Sequence, residues 1–133
     1  KREGADVTVF ARDLAKAERL AEEFQVPSSK FQIQAENYNE FDILVNATPL
    51  GTKGEMENET PATAEELEKV KLVYDLIYKP FETRLVKEAK KAFVPTLGGL
   101  AMLVAQAMAQ QKIWTGKDAP MKEMSRAVLE RLV

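Results

Sequence analysis

The chain has 133 residues, with no cysteine and no histidine. Without cysteine there are no disulfides, thiolate nucleophiles or Cys-based metal sites. Without histidine, zinc-hydrolase motifs and His-dependent triads are excluded too. No metal site is therefore expected. Neither sign of charge dominates: nineteen basic residues face twenty-one acidic ones, a net of -2. A general nucleic-acid surface would carry a basic excess, so only a local phosphate site stays open. No apolar run approaches the roughly 20 residues that span a bilayer, and no signal peptide is visible. The expectation is a cytoplasmic protein with no membrane partner.

What is present is a domain-sized alternation of strands and helices. The chain opens Lys1-Arg2-Glu3-Gly4-Ala5, where Gly4 suits a helix end, followed at once by an apolar strand at 6–11. This opening predicts at least one strand and one helix upstream of Lys1. Asp13 can cap a helix whose face is Leu14, Ala17, Leu20, Ala21 and Phe24, and Pro27-Ser28-Ser29 breaks it. Phe31 and Ile33 suggest a short extended piece, and Tyr38 and Phe41 are expected below the sheet. Phe41–Asn46 reads as a buried parallel strand, 52–62 as a surface loop and 63–69 as a short helix. Lys71–Ile77 is the next strand, and Thr83 caps a helix to about Ala92. Phe93–Thr96 is extended, Gly98-Gly99 opens a long helix to about Trp114, and 120–132 forms a last amphipathic helix. Alternating strands and helices predict an α/β fold with a mostly parallel, doubly wound sheet.

In such sheets ligands bind beyond the carboxyl ends of the strands. Three predicted strand ends carry unusual residues: Arg12, Asn46 to Gly51, and Asp75 to Tyr78. Arg12 stands where an arginine can pair with a ribose 2′-phosphate, with Lys16 one turn on. Read alone, both are equally ordinary surface cations. The loop Asn46-Ala47-Thr48-Pro49-Leu50-Gly51 can lie along a pyrophosphate or ribose, using backbone N–H groups and the Thr48 hydroxyl. A ligand-free turn explains it as well. Tyr78 brings a phenol to the rim, suited either to a hydroxylated substrate or to packing. On the long helix Leu100, Leu103, Val104, Ala107 and Met108 form a core stripe. Met102, Gln106 and Gln110 share another face, where Met suits a planar ring and Gln a hydroxyl.

Four segments together resemble the C-terminal half of the shikimate dehydrogenase family. They are Val7–Arg12, Asn46–Gly51, Tyr74–Pro80 and Gly99–Gln106, and the tail Ile113-Trp114-Thr115-Gly116 with Ala119-Pro120 agrees. The resemblance runs collinearly over nearly the whole chain. It implies a Rossmann-like NADP-binding domain across 1–133, lacking its first strand and Gly-rich loop. It also implies reduction of 3-dehydroshikimate to shikimate with NADPH, on the route to aromatic amino acids. By resemblance Arg12 and Lys16 bind the 2′-phosphate, while Asn46, Ala47 and Thr48 line the cofactor groove. Leu76 sits near the nicotinamide ribose, Gly99 and Met102 position the nicotinamide, and Tyr78 and Gln106 contact the substrate.

The family's catalytic Lys and Asp belong to an N-terminal substrate domain, so no residue of 1–133 is given that role. The chain alone is accordingly expected to be inactive and to bind NADP poorly. Two departures stand out. Asp13 replaces the Thr or Ser that usually follows the arginine, which keeps open a quinate/shikimate enzyme with NAD use. Ala92-Phe93 stands where a glycine commonly lies. Glutamyl-tRNA reductase has a similar nucleotide domain, but the Tyr74–Pro80 and Gly99–Gln106 segments follow the dehydrogenase pattern. A non-catalytic nucleotide-binding scaffold is the alternative from another class. Apolar surface on the last two helices leaves a homodimer open.

Overall fold

A computed structural model describes residues 4–11, 13–24, 31–32 and 37–132. Arg12, the Pro27–Ser29 break and Ile33 lie outside the described residues. Two compact units are present, Lys1–Glu36 and Asn37–Val133.

In the first unit, strand β1 (Val9–Phe10) pairs in parallel with β2 (Phe31–Gln32), and helix α1 (Leu14–Phe24) connects them. β1 is shorter than the apolar run at 6–11 suggests. Asp13 performs the capping role: its Oδ1 accepts from the Lys16 N–H at 3.2 Å. Ala17 is fully buried on the predicted helix face, whereas Leu20 is 45% exposed.

The second unit is built on three parallel strands: β3 (Ile43–Asn46), β4 (Leu72–Asp75) and β5 (Thr96–Gly98), in that order. A 3-10 turn at Glu65–Leu67 lies between β3 and β4, and helix α2 (Arg84–Lys91) connects β4 to β5. Helix α3 (Gly99–Thr115) starts directly from β5, and α4 (Met121–Leu132) packs on α3. Helix α2 packs on β4 and β5, and Leu67, Val73, Leu85 and Ala89 are fully buried. Tyr38 is buried as expected, with its hydroxyl donating to the Pro61 carbonyl at 3.2 Å.

The sequence reading of β3 as buried on both faces needs correction. Leu44 and Asn46 are buried, but Ile43 and Val45 are 54% and 50% exposed. A strand alternates its faces, and within this unit only one face is covered. The α3 stripe is also less buried than expected: Val104 reaches the core, while Leu100, Leu103, Ala107 and Met108 are half-buried.

The two ends of α2 are unlike. At its start Thr83 is extended, and its side chain accepts from the Val86 N–H, an N-cap. At its end the Val94 N–H donates to the Ala89 carbonyl at 2.9 Å, and the Phe93 N–H to the Lys90 carbonyl at 3.1 Å. That pairing is a Schellman motif, which needs a left-handed residue just past the helix. The residue is Phe93, with φ 59° and 95% exposure. The missing glycine noted in the sequence therefore has a definite structural consequence.

Candidate functional site at the ends of β3 and β4

Strands β3 and β4 are in register with Asn46 opposite Asp75, so the segments after both emerge on one rim. These are two of the three strand ends singled out above.

A buried polar cluster ties them together. Asp75 is fully buried, Asn46 is 2% exposed and Thr83 1%. The Asn46 side-chain amide donates to Asp75 Oδ1 and to the Leu50 carbonyl, both at 3.1 Å. Asp75 Oδ1 also accepts from the Ile77 N–H at 3.1 Å, and Oδ2 from the Thr83 hydroxyl at 2.5 Å. Three neutral donors thus satisfy a buried carboxylate, as a buried charge requires.

The loop after β3 closes on itself. Asn46 Oδ1 accepts from both the N–H and the hydroxyl of Thr48, at 3.0 and 2.7 Å. The Leu50 N–H donates to Thr48 Oγ1, the Gly51 N–H to the Met56 carbonyl and the Thr52 N–H to the Pro49 carbonyl. Gly51 has φ 98°, a conformation that favours glycine, and a Cβ there would lie 3.2 Å from the Thr83 Cβ.

The sequence reading of Asn46–Gly51 allowed either a loop along a pyrophosphate or ribose or a ligand-free turn, and the loop's internal hydrogen bonds are those of a tight turn. Thr48, Leu50 and Gly51 have committed their N–H groups within the protein, and so has the Thr48 hydroxyl. Asn46 is buried and braces the loop through its side-chain amide. Ala47, Thr48 and Pro49 remain exposed, so this loop offers a surface and few donors.

The segment after β4 is different. Leu76, Ile77, Tyr78 and Lys79, with Thr52 and Lys53, line a groove of about 510 Å³. Its wall is pinned through the main chain. The Leu76 N–H donates to the Asn46 carbonyl at 3.1 Å, the Lys53 N–H to the Lys79 carbonyl at 3.1 Å and the Gly99 N–H to the Ile77 carbonyl at 3.2 Å. Tyr78 is 41% exposed. The groove joins an apolar wall to a few polar groups, which suits a small organic ligand.

Gly99 is where backbone meets backbone. A Cβ there would stand 2.1 Å from the Leu76 carbonyl oxygen and 2.8 Å from the Ile77 carbonyl carbon. Its glycine is required by packing of α3 on the β4 exit, while Gly98 faces open space. Met102 is half-buried and Gln106 exposed on α3, and neither belongs to the groove lining. Lys16 is exposed, with its ammonium 3.7 Å from Asp13 Oδ2.

Of the residues singled out in the sequence, the fold brings Leu76 and Tyr78 into one groove. The sequence reading missed Thr52, Lys53 and Lys79 as lining, and Asp75 and Thr83 as the brace behind it. Their signal lay in spacing: a carboxylate ending β4 and a helix-capping threonine eight residues on.

Residues 99–129 match the model of the shikimate 5′-dehydrogenase C-terminal domain. An NADP(+) shikimate dehydrogenase of Methanosarcina acetivorans is 40% identical over 98% of this chain and 49% of its own length. This chain is similar in sequence to the shikimate dehydrogenases over nearly its whole length. It spans about half the length of the curated shikimate dehydrogenases it matches. The Thermus thermophilus shikimate 5-dehydrogenase, solved with NADP(H) and shikimate, aligns with TM-score 0.81 and 32% identity. That alignment covers 99% of this chain and 48% of the other. A 5-ketofructose reductase of Gluconobacter aligns with TM-score 0.76 and 30% identity, over 92% of this chain and 46% of that one. The fold is accordingly the Rossmann-like α/β fold of these dehydrogenases.

Proposed function

We propose that the natural polypeptide containing this chain is an NADP-dependent shikimate dehydrogenase. It reduces 3-dehydroshikimate to shikimate, and this chain supplies the nucleotide-binding half. The observation that carries the reading is the groove at the β4 exit. It combines an apolar wall from Leu76 and Ile77 with the exposed phenol of Tyr78, on the rim where parallel sheets bind ligands.

The residues present fit the cofactor. Leu76 and Ile77 would face the nicotinamide end, with Gly99 holding the wall in place and Met102 adjoining it on α3. Ala47 and Thr48 would border the groove on the β3 side, supported from behind by Asn46. Arg12 and Lys16 would hold the 2′-phosphate through charge-assisted bonds. Asp13 weighs less against that role than its sign suggests, because its carboxylate caps α1. When bound, NADPH supplies the hydride, and the protein supplies orientation. Tyr78 and Gln106 would hydrogen-bond the hydroxylated substrate. No residue of the chain is assigned proton transfer, so the 133 residues alone are expected to show no turnover. Ile113 and Trp114 are 79% and 77% exposed in this chain, an apolar surface open to the rest of the natural polypeptide or to a second copy in a homodimer.

A spectrophotometric assay of the natural polypeptide tests the reading, with shikimate or quinate offered together with NADP+ or NAD+. NADP+ reduction with shikimate is expected, lost on Arg12→Ala and retained in part with NAD+. Preference for quinate and NAD+ would move the assignment to that variant. A folded polypeptide inactive with every pair would favour a non-catalytic scaffold.

A further inference from the structure

Asp75 is a fully buried carboxylate that no step of the proposed function uses. Burying a charge is costly, so its retention needs a reason. Its surroundings supply one. Donors from three separate segments converge on it: Asn46 at the end of β3, Ile77 at the exit of β4, and Thr83 at the start of α2. An asparagine there would turn an NH2 group toward a donor, so an acceptor-only carboxylate matches the site.

The bond to the Ile77 N–H folds the chain into an Asx turn just past the strand. That turn gives the groove wall its course from Leu76 to Tyr78. The other ties on the wall, at Leu76, Lys79 and the Ile77 carbonyl, are between main-chain atoms. The Asp75 tie is made by a side chain. Through Asn46 the same carboxylate reaches the Thr48–Leu50 loop on the far side of the rim.

We propose that Asp75 is a positioning residue. Its carboxylate, latched by Asn46 and Thr83, holds the Leu76–Tyr78 wall in the geometry that orients the ligand, without touching the ligand itself. The proposal rests on the reading of this groove as the nicotinamide and substrate site.

The test uses the natural polypeptide carrying Asp75→Asn, Thr83→Val or Thr83→Ser. Thr83→Val keeps the shape and removes the hydroxyl, and Thr83→Ser restores it. Asp75→Asn and Thr83→Val are expected to lower kcat/KM by about tenfold or more, the scale of a small misplacement of reacting groups. Thr83→Ser should stay within about threefold of wild type. In parallel, amide hydrogen exchange at Ile77 and Thr48 should quicken in the first two variants and not in the third. If Asp75→Asn does not fold, the Thr83 pair decides. A folded Thr83→Val protein with wild-type kcat/KM and wild-type Ile77 protection would overturn the proposal. So would a Thr83→Ser protein as impaired as Thr83→Val. If wild type shows no turnover while Ile77 exchange responds as expected, the latch stands and the functional reading fails.

Discussion

The rim of the β3–β5 sheet and its opposite end follow different rules. At the rim, Asn46, Asp75 and Thr83 are buried, and each has its polar side-chain atoms engaged. Backbone meets backbone at Gly99 with no room for one more carbon. At the far end, where α2 turns into β5, Phe93 occupies a left-handed position that glycine would fill better, and its ring lies in solvent. Tight constraint is concentrated where the groove is, and a left-handed non-glycine residue is tolerated at the opposite end. Substitutions should therefore act with opposite sign at the two ends.

The largest effect is expected at Gly99→Ala. The new methyl meets the Leu76 and Ile77 backbone, so destabilisation of about 3 kcal/mol or more should follow, read as a lower denaturant midpoint. Next comes Thr83→Val, which removes an α2 cap and a bond to a buried carboxylate. A loss of about 2–3 kcal/mol is expected in the same measurement. Phe93→Gly should do the reverse, raising stability by about 1 kcal/mol through relief of the left-handed penalty. A Phe93→Gly protein less stable than wild type would break the comparison.

A smaller, pH-dependent effect belongs to Glu88. The Lys91 ammonium 2.8 Å away holds its carboxyl below the usual glutamate range, against a smaller opposing contribution from burial. Its Oε2 also accepts from the Ala64 N–H at 3.3 Å, tying α2 to the turn before Leu67. A lowered folded-state pKa contributes stability that is present above the unfolded value and lost as pH falls through the folded one. Glu88→Gln should therefore flatten the acid side of the stability profile and leave the neutral side of that profile with its wild-type slope.

Much of this contrast was legible in the sequence, and the reasons differ by element. Helices α2, α3 and α4 declared themselves through Thr83, Gly98-Gly99 and the amphipathic 120–132 stretch, which are local signals. The strand-end rim followed from the parallel topology. How the polar atoms of the rim pair with one another was not legible, because it depends on contacts across strands. That the Thr48 hydroxyl donates to Asn46 Oδ1 is not visible in the sequence. Asp75 reads as one residue of a strand until three segments are seen to converge on it. The exposure of Ile43 and Val45 was hidden too, since an apolar run does not say which layers cover it.

Titrating NADP+ and shikimate into the isotopically labelled natural polypeptide, and mapping the perturbed backbone amides, tests whether the β4 exit binds ligand. Shifts are expected to concentrate at Thr52, Lys53, Leu76 to Lys79 and the start of α3, with smaller ones at Ala47 to Gly51. Shifts confined to the Ala47–Gly51 loop, or absent from Leu76 to Lys79 at saturation, would contradict the assignment of the β4 exit as the binding site.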